Sequence, residues 1–315
     1  MTLAWTLAGA TATGKSAAAQ LLAERLEIAI LSADAMLVYR GMDIGTAKPS
    51  AAERARVTYF GVDLVTPDQP FSTGAWLREA ARAVAHTNAA DSDGKAVPSL
   101  LVVGGTGLYF KALTRGLDSA MADPARRAHW QARLETEGVG ALREALAALD
   151  PQALASLSDP SNPRRLIRAI EQLESLRSLP QNWKQPAPDA PLTVLRMPRE
   201  QLHRRIRTRV EAMFAQGLVE EVRSLRRHYP VWSASAAQAI GYAESCALLD
   251  GTLSQAEAFE RIVIRTRQLA KRQETWFRHQ TQAVWIDTDE RDPPERIAER
   301  ILKAWRQHGA TPLPF

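Results

Sequence analysis

The sequence contains a single cysteine, Cys246, among 315 residues. One cysteine excludes an internal disulfide and a metal centre built from several thiolates. Long apolar runs are also missing, because no segment approaches the roughly 20 apolar residues that cross a membrane. The N-terminus leads into the apolar run Leu3 to Ala8, without the basic region or cleavage site of a signal peptide. We therefore expect a cytoplasmic protein that does not bind membranes.

Charge of one sign does not dominate the chain as a whole, which has a net charge of +5, but its distribution is uneven. Residues 1–150 carry 15 basic and 16 acidic side chains, whereas residues 151–278 carry 20 and 13. The first part is typical of a neutral catalytic core, and the second of a surface that binds a polyanion. The alternative is a solvated helical surface that is basic by accident.

The pattern G-x-x-x-x-G-K-S follows the first apolar run directly. In a phosphate-binding loop of this type, backbone N–H groups converge on one point, and the helix that follows adds the positive end of its dipole. We predict a phosphate or diphosphate site with Lys15 as a mobile charge and the Ser16 hydroxyl as a Mg²⁺ ligand. The alternative is an ordinary glycine-rich turn. The loop residues predicted to bind are Gly9, Thr11, Ala12, Thr13, Gly14, Lys15 and Ser16.

Apolar runs that end in loops alternate with helical patterns in the first part of the chain. After the first run, the predicted strands are Ile28–Ser32, Gly61–Val65 and Ser99–Val103, and the predicted helices are Ala17–Leu26, Ser50–Arg56 and Phe71–Asn88. This alternation predicts an α/β fold, a doubly wound parallel sheet with its site at the carboxyl ends of the strands.

Strand patterns stop near residue 118 and return at Leu192–Arg196. The intervening residues 124–178 read as helices broken by glycines and prolines, and Leu179–Pro191 reads as a connector. We predict a P-loop core, residues 1–117 and 192–315, with a helical insertion domain at 118–191. Further helices are predicted at 199–215, 217–228, 241–250, 254–282 and 294–307, with a last strand at 284–287.

The strand Ser99–Val103 ends in Gly104-Gly105-Thr106, where P-loop ATPases usually carry an acidic pair. Hydrolysis of ATP is thus disfavoured, and transfer to an acceptor other than water is favoured. Asp34, at the end of the strand beside the loop, is a candidate general base or a ligand of Mg²⁺ through water. Thr106 is a candidate hydrogen-bond partner of a reacting oxygen. Both residues are also compatible with simple helix capping.

Basic residues concentrate in three segments. The group in the insertion comprises Arg164, Arg165 and Arg168. On the helix that begins near residue 199, Arg205 and Arg209 share a face, and two guanidinium groups suit a diphosphate. Residues 266–278 interleave cations with aromatic side chains, as RNA contacts require. The alternative there is a buried aromatic stripe behind a solvated charged surface.

These segments together resemble the tRNA dimethylallyltransferases, also called tRNA isopentenyltransferases. The similarity extends over nearly the whole chain. Its most specific motifs are M-D-I-G-T-A-K-P at 42–49, V-G-G-T-G-L-Y-F-K-A-L at 103–113 and A-K-R-Q-E-T-W-F-R at 270–278.

The resemblance implies transfer of a dimethylallyl group from dimethylallyl diphosphate to the exocyclic amine of the adenosine beside the tRNA anticodon, with release of diphosphate. It implies Mg²⁺ near Ser16, with Lys15 and Arg209 neutralising the departing diphosphate. Asp34 would accept the proton of the attacking amine, and Thr106 would position the amine or the donor oxygen.

The resemblance also implies that the chain binds the tRNA anticodon arm and that the insertion domain at 118–191 contacts the tRNA. We expect a monomer. The predicted tRNA-binding residues are Ala35, Met36, Leu37, Arg127, Arg164, Arg165, Arg168, Gly241, Tyr242, Lys271, Arg272, Gln273, Trp276 and Arg278. The chain departs from the family pattern at Ala35, Phe60, Gly61 and Ala243, which leaves individual RNA contacts open. Three alternatives remain: an adenylate isopentenyltransferase, a P-loop kinase of a small metabolite, and a non-catalytic RNA-binding protein.

Overall fold

The computed structural model describes residues 2–90, 98–116, 124–157, 159–176 and 191–313. Contacts within the chain divide it into two compact units, residues 1–116 with 186–315, and residues 117–185. The predicted connector lies, apart from Pro191, outside the described residues.

One sheet organises the first unit. In the described part of this unit the strands are β1 (Thr2–Gly9), β2 (Ala29–Ala33), β3 (Tyr59–Phe60), β4 (Leu100–Gly104), β5 (Leu192–Arg196), β6 (Ala283–Asp287) and β7 (Thr311–Leu313). Their order is β3-β2-β4-β1-β5-β6 with parallel neighbours, and β7 pairs antiparallel with the start of β1. The predicted α/β fold with a parallel sheet is confirmed, and its strand order places β1 and its loop at the centre.

Helices cover both faces of this sheet. Those described in the first unit are α1 (Lys15–Leu26), α2 (Ala51–Arg56), α3 (Thr73–Ala90), α4 (Gly107–Arg115), α8 (Arg199–Ala215), α9 (Leu218–His228), α10 (Ala234–Ala237), α11 (Tyr242–Leu249), α12 (Gln255–Gln280) and α13 (Pro294–His308). The second unit contributes α5 (Pro124–Leu149), α6 (Pro151–Ser156) and α7 (Pro163–Leu176). None of the helices in these described ranges is long and apolar enough to span a membrane.

Alternation along the strands explains the two faces. Leu31 and Val102 pack with Trp76 of α3 and Phe277 of α12, whereas their neighbours in the strands, Ile30 and Leu101 among them, pack against α1 and α13. Both faces of the central strands are therefore apolar, as parallel sheets require. A third cluster joins α8, α9, α11 and α12.

The second unit has its own apolar core. Trp130 and Leu142 of α5 pack against Leu166 and Ile170 of α7. Asp150 caps α6, its carboxylate accepting the Gln152 N–H at 2.8 Å.

Several predicted elements differ from the structure. The prediction of a strand at Gly61–Val65 is wrong. The strand β3 lies at Tyr59–Phe60, and Gly61 and Asp63 in the turn that follows have positive φ. Val65 makes only an isolated bridge to Tyr39. The helix α5 continues through Gly140 and bends at Gly138 alone. The helix α4 and the strand β7 were not predicted.

Candidate active site at the phosphate loop

The loop between β1 and α1 has the backbone of an anion cradle. Ala12 and Gly14 have left-handed conformations, with φ of 67° and 92°. The Thr13 hydroxyl donates to the Ala10 carbonyl at 2.9 Å, which closes the turn. Since the first N–H groups of a helix have no partner within it, the start of α1 adds donors beside the loop.

Lys15 lies buried within this loop and its ammonium donates to the Ala10 carbonyl at 3.2 Å. Burial lowers the pKa of Lys15 to about 8, Asp34 opposes this shift, and Arg209 adds to it. Asp34 thus favours the charged ammonium and Arg209 disfavours it, and a bound anion would also favour the charged form.

Asp34 and Thr106 are brought together by the ends of β2 and β4. The Thr106 N–H donates to the Ala33 carbonyl at 3.0 Å, and the Ala35 N–H donates to Thr106 Oγ1 at 3.1 Å. Asp34 Oδ1 accepts the Met36 N–H at 2.9 Å. A side chain at Gly104 would collide with Ala33, its Cβ standing 2.1 Å from that carbonyl oxygen. The glycine that replaces the acidic pair therefore permits this close approach.

Arg209 reaches the site from α8. Its side chain is partly buried, and Nη2 donates to the Thr46 carbonyl at 3.3 Å. Burial lowers the Arg209 pKa and Asp34 opposes the shift, but an arginine stays charged at any physiological pH. Arg205, predicted to share this face, donates instead to the Glu290 carbonyl at 3.2 Å.

A cleft open to solvent joins these groups, with an empty volume of about 820 Å³. One part of its wall is polar and charged, and another, formed by Ala19, Ile30 and Val103, is apolar. The polar wall residues are Thr11, Lys15, Ser16, Ser32, Asp34, Thr46, Lys48, Glu53, Tyr59 and Arg209. Such a cleft suits a ligand with an anionic end and an apolar end.

The donor set fits a magnesium ion that binds with its phosphate ligand. Ser16 is exposed and lines the cleft, and Asp34 lies in the same wall. Within the described ranges, no group of three or more His, Cys, Asp or Glu side chains forms a protein cage for a metal. Mg²⁺ commonly binds through one or two protein oxygens, phosphate oxygens and water, which this wall can supply.

The helix α12 touches both glycine-rich loops. The Thr11 N–H donates to Gln273 Oε1 at 2.9 Å, and Gln273 Nε2 donates to the Gly105 carbonyl at 3.0 Å. Trp276 is half-buried against Gly107, whose Cβ would stand 2.1 Å from the indole ring. The Thr11 N–H, predicted to bind diphosphate, thus has a protein acceptor here.

The other predicted tRNA contacts of the first unit fall into two groups. Lys271, Arg272 and Arg278 are exposed on α12, and Arg278 pairs with Glu274 at 2.5 Å. Gly241 and Tyr242 are buried. Partly buried positions beside the cleft are taken by Ala35, Met36 and Leu37.

The predicted contacts of the second unit lie near the start of α5 and on α7. Arg127 forms a two-point pair with Glu171, at 3.0 and 2.9 Å, and Arg168 lies 3.7 Å from the same carboxylate. Arg164 and Arg165 are exposed. Arg127 therefore has a structural partner, and its predicted RNA contact stays a prediction, as do the other site assignments.

Sequence reasoning missed Thr46 and Lys48, which line the cleft, and Glu221, which binds the segment before them. The motif M-D-I-G-T-A-K-P marked the first two only as members of a loop. No local pattern marked Glu221, because its contact joins residues 177 positions apart.

The sheet, the loop and the aspartate at the neighbouring strand end define the class of P-loop α/β proteins. A profile of the IPP transferase family matches residues 37–280. The tRNA dimethylallyltransferases of Geobacter metallireducens and Bordetella pertussis are 43% and 40% identical, covering 89% and 95% of this chain and 90% and 96% of theirs. The chain belongs to the IPP transferase family.

Solved structures agree with this membership. The tRNA isopentenylpyrophosphate transferase of Bacillus halodurans is 32% identical, with a TM-score of 0.69 and coverage of 98% of this chain and 97% of its own. A eukaryotic dimethylallyltransferase acting on tRNA has a TM-score of 0.75 over 98% of this chain and 77% of its own. At 22% identity, the second likeness supports the fold alone.

Proposed function

We propose that this protein transfers a dimethylallyl group from dimethylallyl diphosphate to the exocyclic amine of the adenosine beside the anticodon of tRNA. The observation that carries the proposal is the placement of Asp34 in the same cleft wall as Lys15, Ser16 and Arg209. A proton acceptor and an anion site in one cleft are what substitution by an amine with a diphosphate leaving group requires. Membership in the IPP transferase family supports this choice of substrates.

The chemical step follows from these positions. The amine nitrogen forms a bond to C1 of the prenyl group, and the C1–oxygen bond breaks with its electron pair leaving on diphosphate. Lys15 and Arg209 stabilise the charge that develops there. Asp34 accepts the proton lost by the amine. Mg²⁺ held near Ser16 would supply further neutralisation of the leaving group.

Thr106 acts by positioning. Because its oxygen accepts the Ala35 N–H, its own hydroxyl proton remains able to donate to a reacting group or to the Asp34 carboxylate. The hydrogen bond also fixes the start of the loop that follows Asp34. The aspartate thus enters the reaction in a fixed orientation.

We assign recognition of the anticodon arm to exposed cations and the half-buried indole of α12, with help from the arginines of the second unit. The base must leave its stack to reach a cleft bordered by Asp34, as in other enzymes that modify bases. Lys271, Arg272 and Arg278 supply phosphate contacts, and Trp276 supplies an aromatic surface.

The test incubates the full chain with labelled dimethylallyl diphosphate, Mg²⁺ and unmodified tRNA. We expect label in an adenosine beside the anticodon. An arm with labelled ATP tests the kinase alternative, and an arm with AMP as acceptor tests the adenylate isopentenyltransferase. Label on AMP alone, or transfer of phosphate from ATP, would replace the proposal with one of these.

Asp34→Asn is the matched variant, because its amide oxygen can still accept the Met36 N–H and keep the turn. We expect a loss of roughly 10²–10⁴-fold in kcat with tRNA binding retained. Full activity of this variant would show that Asp34 does not accept the proton of the amine.

A further inference from the structure

A strap of residues 43–48 borders the cleft beside Arg209. Thr46 and Lys48 line the cleft, and the Thr46 carbonyl accepts a hydrogen bond from Arg209 Nη2 at 3.3 Å. This hydrogen bond connects the guanidinium to the strap. Residues that hold the strap in place can therefore influence the position of Arg209.

Two side chains from neighbouring helices hold the first half of the strap. Glu221 Oε2, from α9, accepts the N–H groups of Asp43 and Ile44 at 3.1 and 2.9 Å. Tyr242, at the start of α11, donates its hydroxyl to Glu221 Oε1 at 2.6 Å. The Tyr242 oxygen accepts the Gly45 N–H at 3.2 Å. Three consecutive N–H groups of the strap thus end on one glutamate–tyrosine pair.

Packing encloses the tyrosine of this pair. The Tyr242 side chain is fully buried, and a Cβ at Gly45 would stand 2.4 Å from its ring. Burial and the Glu221 carboxylate raise the pKa of Tyr242 far above its usual range, so its hydroxyl stays a donor. A side chain without exposed surface cannot contact RNA in this conformation.

The other end of the strap is fixed independently. The buried Lys48 ammonium donates to the Tyr39 carbonyl at 2.7 Å and pairs with Asp43 and Asp63, each at 2.6 Å. The Thr46 carbonyl thus lies between two ends of the strap that are each held by hydrogen bonds. A binding residue that is already ordered in the free protein loses less conformational entropy when its ligand binds.

We propose that Glu221 and Tyr242 are positioning residues that orient Arg209 through the strap and so set the affinity of the site for diphosphate. This inference rests on the proposed function, because it takes Arg209 as a ligand of the donor's diphosphate. It also gives Tyr242 a different role from the tRNA contact predicted from the sequence.

The test compares Tyr242→Phe with Tyr229→Phe, which removes a hydroxyl just beyond the other end of α9. The probe is inorganic diphosphate with Mg²⁺, titrated calorimetrically into the full chain. We expect Tyr242→Phe to weaken diphosphate binding by roughly 5–10-fold, because one buried hydroxyl and its two hydrogen bonds are lost. Tyr229→Phe and the affinity of either variant for an anticodon stem-loop RNA are expected to stay within about twofold.

A double-mutant cycle with Arg209→Ala separates positioning from a general loss of structure. If Tyr242 acts through Arg209, Tyr242→Phe has no further effect on diphosphate affinity once the guanidinium is gone. An equal loss in both backgrounds overturns the inference, as does unchanged diphosphate affinity or a loss confined to RNA. Glu221→Gln, expected to act in the same direction, provides a second route to the same cycle.

The two proposals fail in different ways. Diphosphate binding is measured without prenyl donor or tRNA, so the cycle retains its meaning even for a protein that transfers no prenyl group. If no prenyl transfer is found but Tyr242 and Arg209 are still coupled in diphosphate binding, the proposed reaction is wrong and the positioning role of Tyr242 stands.

Discussion

Burial opposes the charge of Lys15 and lowers its pKa from the usual 10.5 to about 8. In the free protein its ammonium loses a proton as the pH rises through about 8. Bound diphosphate favours the protonated form, so binding above this pH takes up a proton. The stability of the fold depends on pH in the opposite direction from diphosphate affinity. Between about pH 8 and 10.5 the unfolded chain keeps the Lys15 proton that the folded chain has lost, so this group makes the free energy of unfolding rise with pH.

We therefore predict proton uptake when diphosphate binds near pH 8.5, and affinity that falls as the pH rises further. Titration calorimetry in two buffers of different ionisation enthalpy measures the uptake directly. Lys15→Arg, which stays charged, serves as the control, because it keeps only the uptake due to diphosphate itself. Equal uptake by both proteins would show that Lys15 is already protonated at this pH.

At the scale of single residues, the sequence indicated the site residues that belong to a local motif. It missed the roles that depend on contacts between distant segments. Lys15 and Asp34 follow a loop and a strand end that the pattern displays, and both line the cleft. Tyr242 was marked by its motif, but its burial against Gly45 and Glu221 depends on how α9 and α11 pack. Such packing has no signature within either segment.

At the scale of elements, α12 connects the two glycine-rich loops through Gln273. We predict that Gln273→Ala lowers kcat of prenyl transfer roughly 5–20-fold, since two backbone groups lose their partner and the loops can separate. Steady-state kinetics with each substrate varied in turn provide the measurement, and Gln268→Ala, exposed on the same helix, is the control. A rise confined to the KM for tRNA would instead support the RNA contact predicted from the sequence.

The helix α5 offers a second comparison, because Gly138 has φ of 79° whereas Gly140 continues the helix. Neither position has an atom within 4 Å of an added Cβ, so only the backbone conformation distinguishes them. We predict that Gly138→Ala destabilises α5 by about 1 kcal/mol and that Gly140→Ala stabilises it by roughly 0.5–1 kcal/mol. Amide hydrogen exchange within α5 reports both, and equal effects would show that the bend is not retained in solution.

The sequence predicted the positions of helices and strands where the apolar pattern was not interrupted by a turn. The strand β5 has the predicted bounds, and the capping box of Ser50 and Glu53 marks the start of α2. The prediction failed at 61–65, where the alternating apolar residues line a turn with left-handed backbone. No strand was predicted at β7, which contains Pro312; proline is tolerated at a sheet edge.

At the scale of the whole molecule, the basic excess of residues 151–278 is partly neutralised within the fold. Arg196 pairs with Asp287 and Arg204 with Glu290, two acids that lie beyond residue 278 and so do not enter that count. Net charge alone therefore overstates the surface offered to RNA. Exposed cations such as Lys271 and Arg272 carry more of the expected effect.

We predict that tRNA affinity falls steeply between about 50 and about 200 mM salt. Replacing Lys271 and Arg272 together by alanine is expected to reduce the log–log slope by about 1–2. Arg207→Ala, which removes a guanidinium bonded to Glu260, is expected to leave the slope unchanged. Fluorescence anisotropy with labelled tRNA measures all three, and a flat dependence in the unaltered protein would remove the basic surface from recognition.

The central place of β1 has a consequence for how the chain is made. β1 pairs with β4, which follows it within the first 104 residues, but its other neighbours, β5 and β7, come only after residue 191. A nascent chain that has reached β4 thus carries β1 with one side unpaired. Exposed strand edges invite association with other chains. We expect the growing polypeptide to depend on chaperones until β5 emerges from the ribosome and closes the sheet.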